Sequence, residues 1–175
     1  EEALRLLGLM QLQRVVPNVV TYNASISACE KTSQWERVCC LLLEMRRGGV
    51  QADVITYNAS ISSCEKGSQW ARALQLLMSM RCESLQPDLI TYSSSISACS
   101  KGHCWPEALR LLSTMRREDL QPNVTAYNEA IDASEKGQLW THALHLLRSM
   151  WRAQLQTNLI TYNASISACE KGQHW

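Results

Sequence analysis

The sequence lacks several features that would assign it to a common class of protein. Its net charge is only +1, which is not the strongly basic balance typical of nucleic-acid-binding proteins. No run of 18 apolar residues occurs, so no membrane span is predicted, and no signal or transit peptide is recognisable. A glycine-rich phosphate loop and a nucleophile–base–orienter set are both missing. We therefore predict no enzyme activity, no cofactor and no small-molecule substrate.

Eight cysteines are present, but their spacing argues against a disulfide framework. Half of them occur at one phase of a repeat, with a serine in the remaining position: Cys29, Cys64, Cys99 and Cys169, with Ser134. Equivalent residues of stacked helices lie roughly 9–10 Å apart, whereas a disulfide needs Cα atoms within about 7 Å. The pattern predicts small buried thiols in a reducing compartment. Near Cys104 no second ligand pair follows at zinc-finger spacing, so no metal site is predicted.

One polar phrase recurs along the chain. TYNASISACEK at 21–31 returns letter for letter at 161–171, and near-copies begin at residues 56, 91 and 126. The step is 35 residues each time, so the 175 residues make five periods. A fixed period of this size indicates a solenoid or another repeat array.

Each period has the pattern of two helices joined by a short turn. In the first half, Tyr22, Ile26 and Cys29 are spaced as one apolar stripe of a helix. The second half of 54–88 follows W-x-x-A-L-x-L-L-x-x-M, a helical pattern with a wider apolar face. Because one hairpin cannot bury its apolar face alone, neighbouring hairpins must stack. The sequence therefore predicts an all-α solenoid of stacked helix–turn–helix hairpins.

The residues at the joints predict where the helices end. Gly67 suits the left-handed residue that closes a helix, and Thr32 at the same position of the first repeat predicts a more strained turn. Pro87 disfavours helix at the residue before it, so the second helix must have stopped there. A tryptophan recurs at the position where the second helix of a repeat begins. We predict that these tryptophans pack between adjacent repeats and do not form a ligand cage: Trp35, Trp70, Trp105, Trp140 and Trp175.

A helical hairpin of 35 residues with V-x-T-Y-N at its head and L-x-P-D at its tail resembles the pentatricopeptide repeat family. Val19-Val20-Thr21-Tyr22-Asn23 and Leu85-Gln86-Pro87-Asp88 illustrate the two ends. The resemblance implies a right-handed superhelix, continuous along the chain, with these parts: a second helix of a truncated repeat at 1–18, full repeats at 19–53, 54–88, 89–123 and 124–158, and a first helix of a truncated repeat at 159–175.

Membership of this family implies binding of single-stranded RNA, with one base read per repeat by two or three side chains. By resemblance, the readers are the fifth and the last residues of each repeat, here called a reader pair. The pairs are Asn23 with Asp53, Asn58 with Asp88, Ser93 with Asn123, and Asn128 with Asn158, while Asn18 and Asn163 are halves of incomplete pairs. The family's pattern implies the sequence 5′-U-U-A-C/U-3′.

Two further rows of residues carry over from the family. The second residues of the repeats would clamp the bases, or they could simply pack at the helix start: Val20, Ile55, Ile90, Thr125 and Ile160. A lysine row could contact phosphates, or it could be solvated at the helix C-termini, where a cation is favoured: Lys31, Lys66, Lys101, Lys136 and Lys171.

A protein scaffold is the alternative function. The near-neutral charge gives little electrostatic attraction for RNA, and four repeats offer a short binding window. The half repeats at both ends have no polar caps, so either the array is longer or subunits of a larger assembly cover its ends. The family resemblance also implies a mitochondrial or chloroplast protein.

Overall fold

Ten helices make up most of the described chain, and their bounds follow the predicted period. The computed structural model describes residues 2–172, except for the side chain of Gln11. Within that range the helices are α1 (Glu2–Leu12), α2 (Val19–Lys31), α3 (Trp35–Arg47), α4 (Val54–Lys66), α5 (Trp70–Cys82), α6 (Leu89–Lys101), α7 (Trp105–Arg117), α8 (Val124–Lys136), α9 (Trp140–Arg152) and α10 (Leu159–Lys171). The predicted pairs of helices are therefore confirmed.

The residue before each first helix is its N-cap. These residues are also the last residues of the repeats: Asn18, Asp53, Asp88, Asn123 and Asn158. In each, a side-chain oxygen accepts the backbone N–H three residues further on, which satisfies one of the free N–H groups at the helix start. In α4, α6 and α10 a threonine at that third position also accepts the backbone N–H of the cap, completing a capping box.

The turn inside each repeat differs by one residue from the prediction. Gly67 has a φ of −85°, whereas the next residue, Ser68, has a φ of 55°. The N–H of Gln69 donates to the carbonyl of Cys64 at 2.8 Å, the bond that closes a Schellman motif around a left-handed residue. The prediction that glycine takes the left-handed position is therefore wrong. Thr32 has a φ of −103°, outside the left-handed region, so the prediction of a strained turn there is also wrong.

Packing explains the glycine instead. A β-carbon on three of these glycines would collide with the indole of the tryptophan that opens the second helix of the preceding repeat. The distances to the nearest indole carbon would be 2.4 Å for Gly67 and Trp35, 2.7 Å for Gly137 and Trp105, and 2.5 Å for Gly172 and Trp140. Packing between adjacent repeats is thereby confirmed for these three tryptophans. Trp175 lies outside the described residues.

Contacts between helices divide the chain into two units, Glu1–Pro87 and Asp88–Trp175. In the first unit, α2 packs against α1, α3 and α4, and α4 packs against α3 and α5. In the second unit, α6 packs against α7 and α8, and α8 packs against α7, α9 and α10. In both units the first helices of neighbouring repeats touch each other, so their residues lie side by side within each unit.

The core of each unit comes from the predicted apolar positions. Tyr22, Ile26 and Cys29 are 4%, 0% and 2% exposed. The second helix of each full repeat buries one alanine or valine, one leucine and one methionine at matching positions: Val38, Leu42 and Met45; Ala73, Leu77 and Met80; Ala108, Leu112 and Met115; Ala143, Leu147 and Met150. None of the described helices is both long and apolar enough to cross a membrane.

Candidate nucleic-acid interface

The N-caps fix which side-chain oxygen of each last residue bonds the helix and which side-chain atom the cap does not use. The cap uses one side-chain oxygen, Oδ1, to accept a backbone N–H. In an aspartate the remaining atom is Oδ2, which only accepts hydrogen bonds, whereas in an asparagine it is Nδ2, which only donates them. Capping therefore converts the choice between Asp and Asn into a choice between an acceptor and a donor.

The first reader pair forms a closed hydrogen-bond network. Asn23 Nδ2 donates to Asp53 Oδ1 at 3.1 Å and to Oδ2 at 3.3 Å. The Thr56 hydroxyl lies 2.5 Å from Asn23 Oδ1 and 2.7 Å from Asp53 Oδ1. Asp53 Oδ1 also accepts the Thr56 N–H at 2.8 Å. These contacts bring the fifth and last residues of the repeat together, and their role as readers stays a prediction.

The charge of Asp53 is stabilised by the same contacts. Burial opposes ionisation, but the hydrogen bonds from the Thr56 N–H, the Thr56 hydroxyl and the Asn23 amide outweigh it. Together they lower the pKa of the Asp53 carboxyl below its ordinary value of 3.8. The first pair therefore presents a carboxylate and an amide N–H side by side at neutral pH.

The fourth reader pair is linked through a threonine. The Thr161 hydroxyl lies 2.7 Å from Asn128 Oδ1 and 3.0 Å from Asn158 Oδ1. Asn158 Oδ1 also accepts the Thr161 N–H at 3.0 Å, which caps α10. The cap uses the oxygen of Asn158 and not its NH2 group. The Thr161 hydroxyl bonds the oxygen of Asn128, so the Asn128 NH2 group is not used in this contact either.

The third reader pair lacks this hydroxyl, because Ala126 stands at the third position of the next repeat. Asn123 Oδ1 accepts the Ala126 N–H at 2.8 Å and caps α8. The Ser93 Oγ is buried and has no hydrogen-bond partner among the described residues. The Ser93 hydroxyl can therefore donate or accept a hydrogen bond, and the cap does not use the NH2 group of Asn123.

The remaining implied readers each lie on a helix or helix cap of their own. Asn58 lies half-buried on α4, while Asp88 caps α6 in the other unit by accepting the Thr91 N–H at 2.8 Å. Asn18 caps α2 by accepting the Thr21 N–H at 3.0 Å. Asn163 is exposed on α10. These residues keep their implied roles as predictions.

The second residues of the first helices are exposed rather than packed. The exposed fractions are 68% for Val20, 65% for Ile55, 59% for Ile90 and 64% for Ile160. Thr125 is exposed as well. Ordinary packing at the helix start therefore does not explain these aliphatic side chains, and a clamping role stays a prediction.

Two lysines of the row form ion pairs with glutamates of the preceding repeat. Lys66 Nζ lies 2.9 Å from Glu30 Oε1, and Lys171 Nζ lies 2.7 Å from Glu135 Oε1. Lys136 pairs with Asp132 of its own helix at 2.6 Å. Lys31 and Lys101 are exposed at the same helix position. Carboxylates thus offset part of the positive charge along this surface.

Sequence reasoning missed the third-position threonines, of which Thr56 and Thr161 contact the fifth residue of the preceding repeat. They occur at one phase, Thr21, Thr56, Thr91 and Thr161, with Ala126 as the exception. The repetition of threonine was visible in the sequence, but its contact with the fifth residue of the preceding repeat depends on how the hairpins stack. Among the described residues, no group of three or more His, Cys, Asp or Glu could hold a metal ion.

Tandem helical hairpins of this length, with polar residue pairs on touching first helices, define an α-solenoid repeat protein. Three family models match the chain: the PPR repeat family at residues 17–66 and 52–101, the pentatricopeptide repeat domain at 1–32 and 110–171, and the PPR repeat at 90–120. The chain belongs to the pentatricopeptide repeat family.

Solved structures of this family have the same fold. The pentatricopeptide repeat protein PPR10 from maize matches 94% of the chain with a TM-score of 0.80 and 21% identity. PPR10 in complex with an 18-nucleotide psaJ RNA element matches 89% with a TM-score of 0.72 and 28% identity. The chain spans 24% and 23% of those two chains. The PPR domain of Arabidopsis thaliana protein-only RNase P 1, in complex with tRNA, matches 89% of this chain and 82% of its own, with a TM-score of 0.79 and 16% identity.

These matches confirm the all-α solenoid class of fold. No curated protein matches the chain.

Proposed function

We propose that the chain binds single-stranded RNA, with about one base per repeat and the order 5′-U-U-A-C/U-3′. The observation that carries this proposal is the hydrogen-bonded contact of Asn23 with Asp53, which joins the two implied readers of one repeat. Family membership and the RNA-bound PPR10 structure support RNA as the ligand. We propose no catalytic role for these repeats.

The atoms that the first pair presents match uracil. The Watson–Crick edge of uracil has an N3–H donor between two carbonyl acceptors. Asp53 Oδ2, which accepts the 3.3 Å bond from Asn23, keeps a further lone pair that can accept the N3–H. The second N–H of the Asn23 amide can donate to a neighbouring carbonyl. Asn58 and Asp88 are the same two residue types, and we assign uracil to the second repeat on that ground.

The third and fourth pairs fit other bases. Adenine offers an N1 acceptor beside a 6-amino donor, which suits the Asn123 NH2 group and the Ser93 hydroxyl. Cytosine offers adjacent N3 and O2 acceptors, which suit NH2 groups from both Asn128 and Asn158. The helix caps support both assignments, since they use the side-chain oxygens of Asn123 and Asn158 and not their NH2 groups.

The exposed aliphatic residues at the second positions support a clamp between successive bases. Stacking of a base on an aromatic residue contributes about 1–3 kcal/mol, and an aliphatic residue contributes toward the low end. Four clamped bases then provide roughly 4–6 kcal/mol, whereas micromolar binding requires about 8 kcal/mol. Binding by these repeats alone is therefore expected to be weak.

Protein scaffolding is the second candidate function. The ion pairs of Lys66 with Glu30 and of Lys171 with Glu135 favour it, because they limit attraction to phosphates. We also infer an organellar setting, mitochondrial or chloroplast, from family membership alone. Microscopy of the full-length protein fused to a fluorescent reporter tests that inference.

The experiment that separates the two functions is a salt titration of binding to a short RNA containing UUAC, with GGCG as the control. Fluorescence anisotropy at high micromolar protein concentration gives both affinities. We expect tighter binding to UUAC and a slope of log K against log salt near −3, from about four phosphates at −0.7 each. Equal and weak binding of both RNAs would reject base reading, and protein scaffolding would then be the remaining candidate function.

A further inference from the structure

The hydroxyl of Thr161 faces two amide oxygens but carries one hydrogen. Thr161 Oγ1 lies 2.7 Å from Asn128 Oδ1 and 3.0 Å from Asn158 Oδ1. A hydroxyl donates one hydrogen bond and can accept others through its lone pairs. The hydrogen can therefore point to Asn128 or to Asn158, and rotation of the hydroxyl exchanges the two states.

The two states present different atoms of Asn128. When the hydroxyl donates to Asn128 Oδ1, the Asn128 NH2 group is left for a ligand. When it donates to Asn158, the Asn128 carboxamide can turn over, donate an N–H to the hydroxyl oxygen and leave its own carbonyl oxygen for the ligand. Asn158 is the same in both states, because its Oδ1 accepts the Thr161 backbone N–H at 3.0 Å.

We propose that Thr161 is a positioning residue whose rotating hydroxyl lets the Asn128–Asn158 pair accept both pyrimidines. This inference rests on the proposed function. NH2 groups from both asparagines match the N3 and O2 acceptors of cytosine. The Asn128 carbonyl with the Asn158 NH2 group matches the N3–H donor and an adjacent carbonyl of uracil.

The first reader pair has the same hydroxyl without this freedom. Thr56 also faces two oxygens, Asn23 Oδ1 and Asp53 Oδ1. Turning the Asn23 carboxamide over would bring its carbonyl oxygen against the Asp53 carboxylate, where Nδ2 now donates at 3.1 Å. Two acceptors facing each other repel, and a hydrogen bond to a charged group is lost. The first pair therefore keeps one pattern and accepts uracil alone.

The third reader pair cannot use such a rotor, because alanine replaces the threonine at position 126. The first, third and fourth pairs, all among the described residues, thus show three arrangements of the same site. A hydroxyl beside two amides gives tolerance, a hydroxyl beside an amide and a carboxylate gives a fixed pattern, and alanine leaves the pair unlinked. This contrast lets one protein supply its own controls.

The test uses the full chain and four RNAs that differ only in the last base, UUAC, UUAU, UUAA and UUAG. The wild-type protein is expected to bind the first two similarly and the last two more weakly. Thr161→Val removes the hydroxyl and should weaken UUAC and UUAU together by about threefold to tenfold, the range of one neutral hydrogen bond. Thr161→Ser keeps the hydroxyl and should restore both.

Thr21→Val is the matched control for loss of the helix cap. The Thr21 hydroxyl bonds the Asn18 cap at 3.1 Å, and no fifth-position reader lies beside it among the described residues. Both variants should lower the thermal midpoint, but only Thr161→Val should narrow the advantage of UUAC and UUAU over UUAA and UUAG. In Thr56→Val the first base should remain uracil.

The outcomes separate this inference from the proposed function. The proposed role of the Thr161 hydroxyl is wrong if Thr161→Val binds UUAC and UUAU as the wild type does. It is also wrong if Thr21→Val weakens binding as much as Thr161→Val does, or if Thr56→Val loses its preference for uracil. If the wild type binds UUAC and GGCG equally, the proposed function itself fails.

Discussion

Trp35 lies against Gly67 so closely that a β-carbon on the glycine would be 2.4 Å from the indole Cδ1. The two residues belong to successive repeats, and the contact joins the start of α3 to the end of α4. Glycine is retained at this turn by its neighbour's side chain and not by its own backbone angles.

Replacing Gly67 with alanine is expected to lower the free energy of unfolding by about 1–3 kcal/mol, the typical cost of overpacking. The indole must shift because the new methyl group would overlap it. Urea denaturation followed by circular dichroism measures the change. Gly8→Ala is the control, since nothing lies within 4 Å of a β-carbon there, and it should stabilise α1 by about 0.5–1 kcal/mol. Equal effects of the two substitutions would contradict the packing argument.

Asp53→Asn should move the first-base preference from uracil alone to cytosine and uracil. Asparagine caps a helix about as well as aspartate does, so α4 should keep its stability while the outward atom changes from an acceptor to a donor. Anisotropy with UUAC and CUAC measures the preference, and denaturation checks the fold. An unchanged preference for uracil, with the fold intact, would show that this position does not read the base.

The uracil preference at the first base is expected to be constant from about pH 8 to about pH 5. The folded pKa of the Asp53 carboxyl is lowered from 3.8, so its contribution is fully present above the ordinary pKa and is lost as the pH falls through the lower, folded value. Binding of UUAC and CUAC at several pH values measures it, with Asp53→Asn as the variant that has no carboxyl. A preference that declines between pH 8 and pH 5 would contradict an ionised, hydrogen-bonded carboxylate.

Tyr57 should make the first unit less stable at high pH. Burial and a hydrogen bond to Glu83 raise the pKa of the Tyr57 phenol to about 12, against the opposing effect of Arg46, which donates to its oxygen at 2.5 Å. Because the folded pKa is raised, the stabilisation is fully present below the ordinary value of 10 and is lost as the pH rises through about 12.

Denaturation midpoints between about pH 8 and pH 11 test the role of Tyr57, and Tyr57→Phe is the control. Phenylalanine cannot ionise, so the variant should lose less stability over this range than the wild type does. A loss as large in the variant would assign the alkaline sensitivity to other groups.

Glu30→Gln should strengthen RNA binding. The substitution releases Lys66, which now pairs with Glu30 at 2.9 Å, and one additional phosphate contact should steepen the salt slope by about 0.7. Glu36→Gln on the exposed start of α3 makes the same change of charge away from the lysine row. If both variants bind alike, the ion pair does not limit phosphate contact.

Much of this fold could be predicted because the sequence repeats its physical signals. The stripe from Tyr22 to Cys29 has helical spacing, and the structure buries it as predicted, whereas its counterparts on α10, Tyr162 and Ile166, are 42% and 65% exposed. The left-handed position of the turn was predicted one residue too early, because a Gly at the end of a helix usually takes that position. Here Ser68 takes that position, and only the indole of Trp35 explains the glycine.

The reader pairs were predicted as residues but not as sets of atoms. Family resemblance named Asn23 and Asp53, but the sequence did not indicate that the cap occupies Asp53 Oδ1 or that the Thr56 hydroxyl touches Asn23. The same holds for Glu30 and Lys66: both residues are visible in the sequence, but their ion pair between repeats is seen only in the structure.

By itself the sequence determined the period, the helix bounds and the residue types at each position, since these depend on local spacing, caps and turns. The tertiary structure decided which oxygen of each cap is occupied, which lysines are paired and why glycine follows the first helices. Those outcomes depend on contacts such as Asn23 with Asp53 and Glu30 with Lys66, which are 30 and 36 residues apart in the chain. Residues that far apart meet only when one hairpin stacks on the next, and the stacking sets their distances and angles.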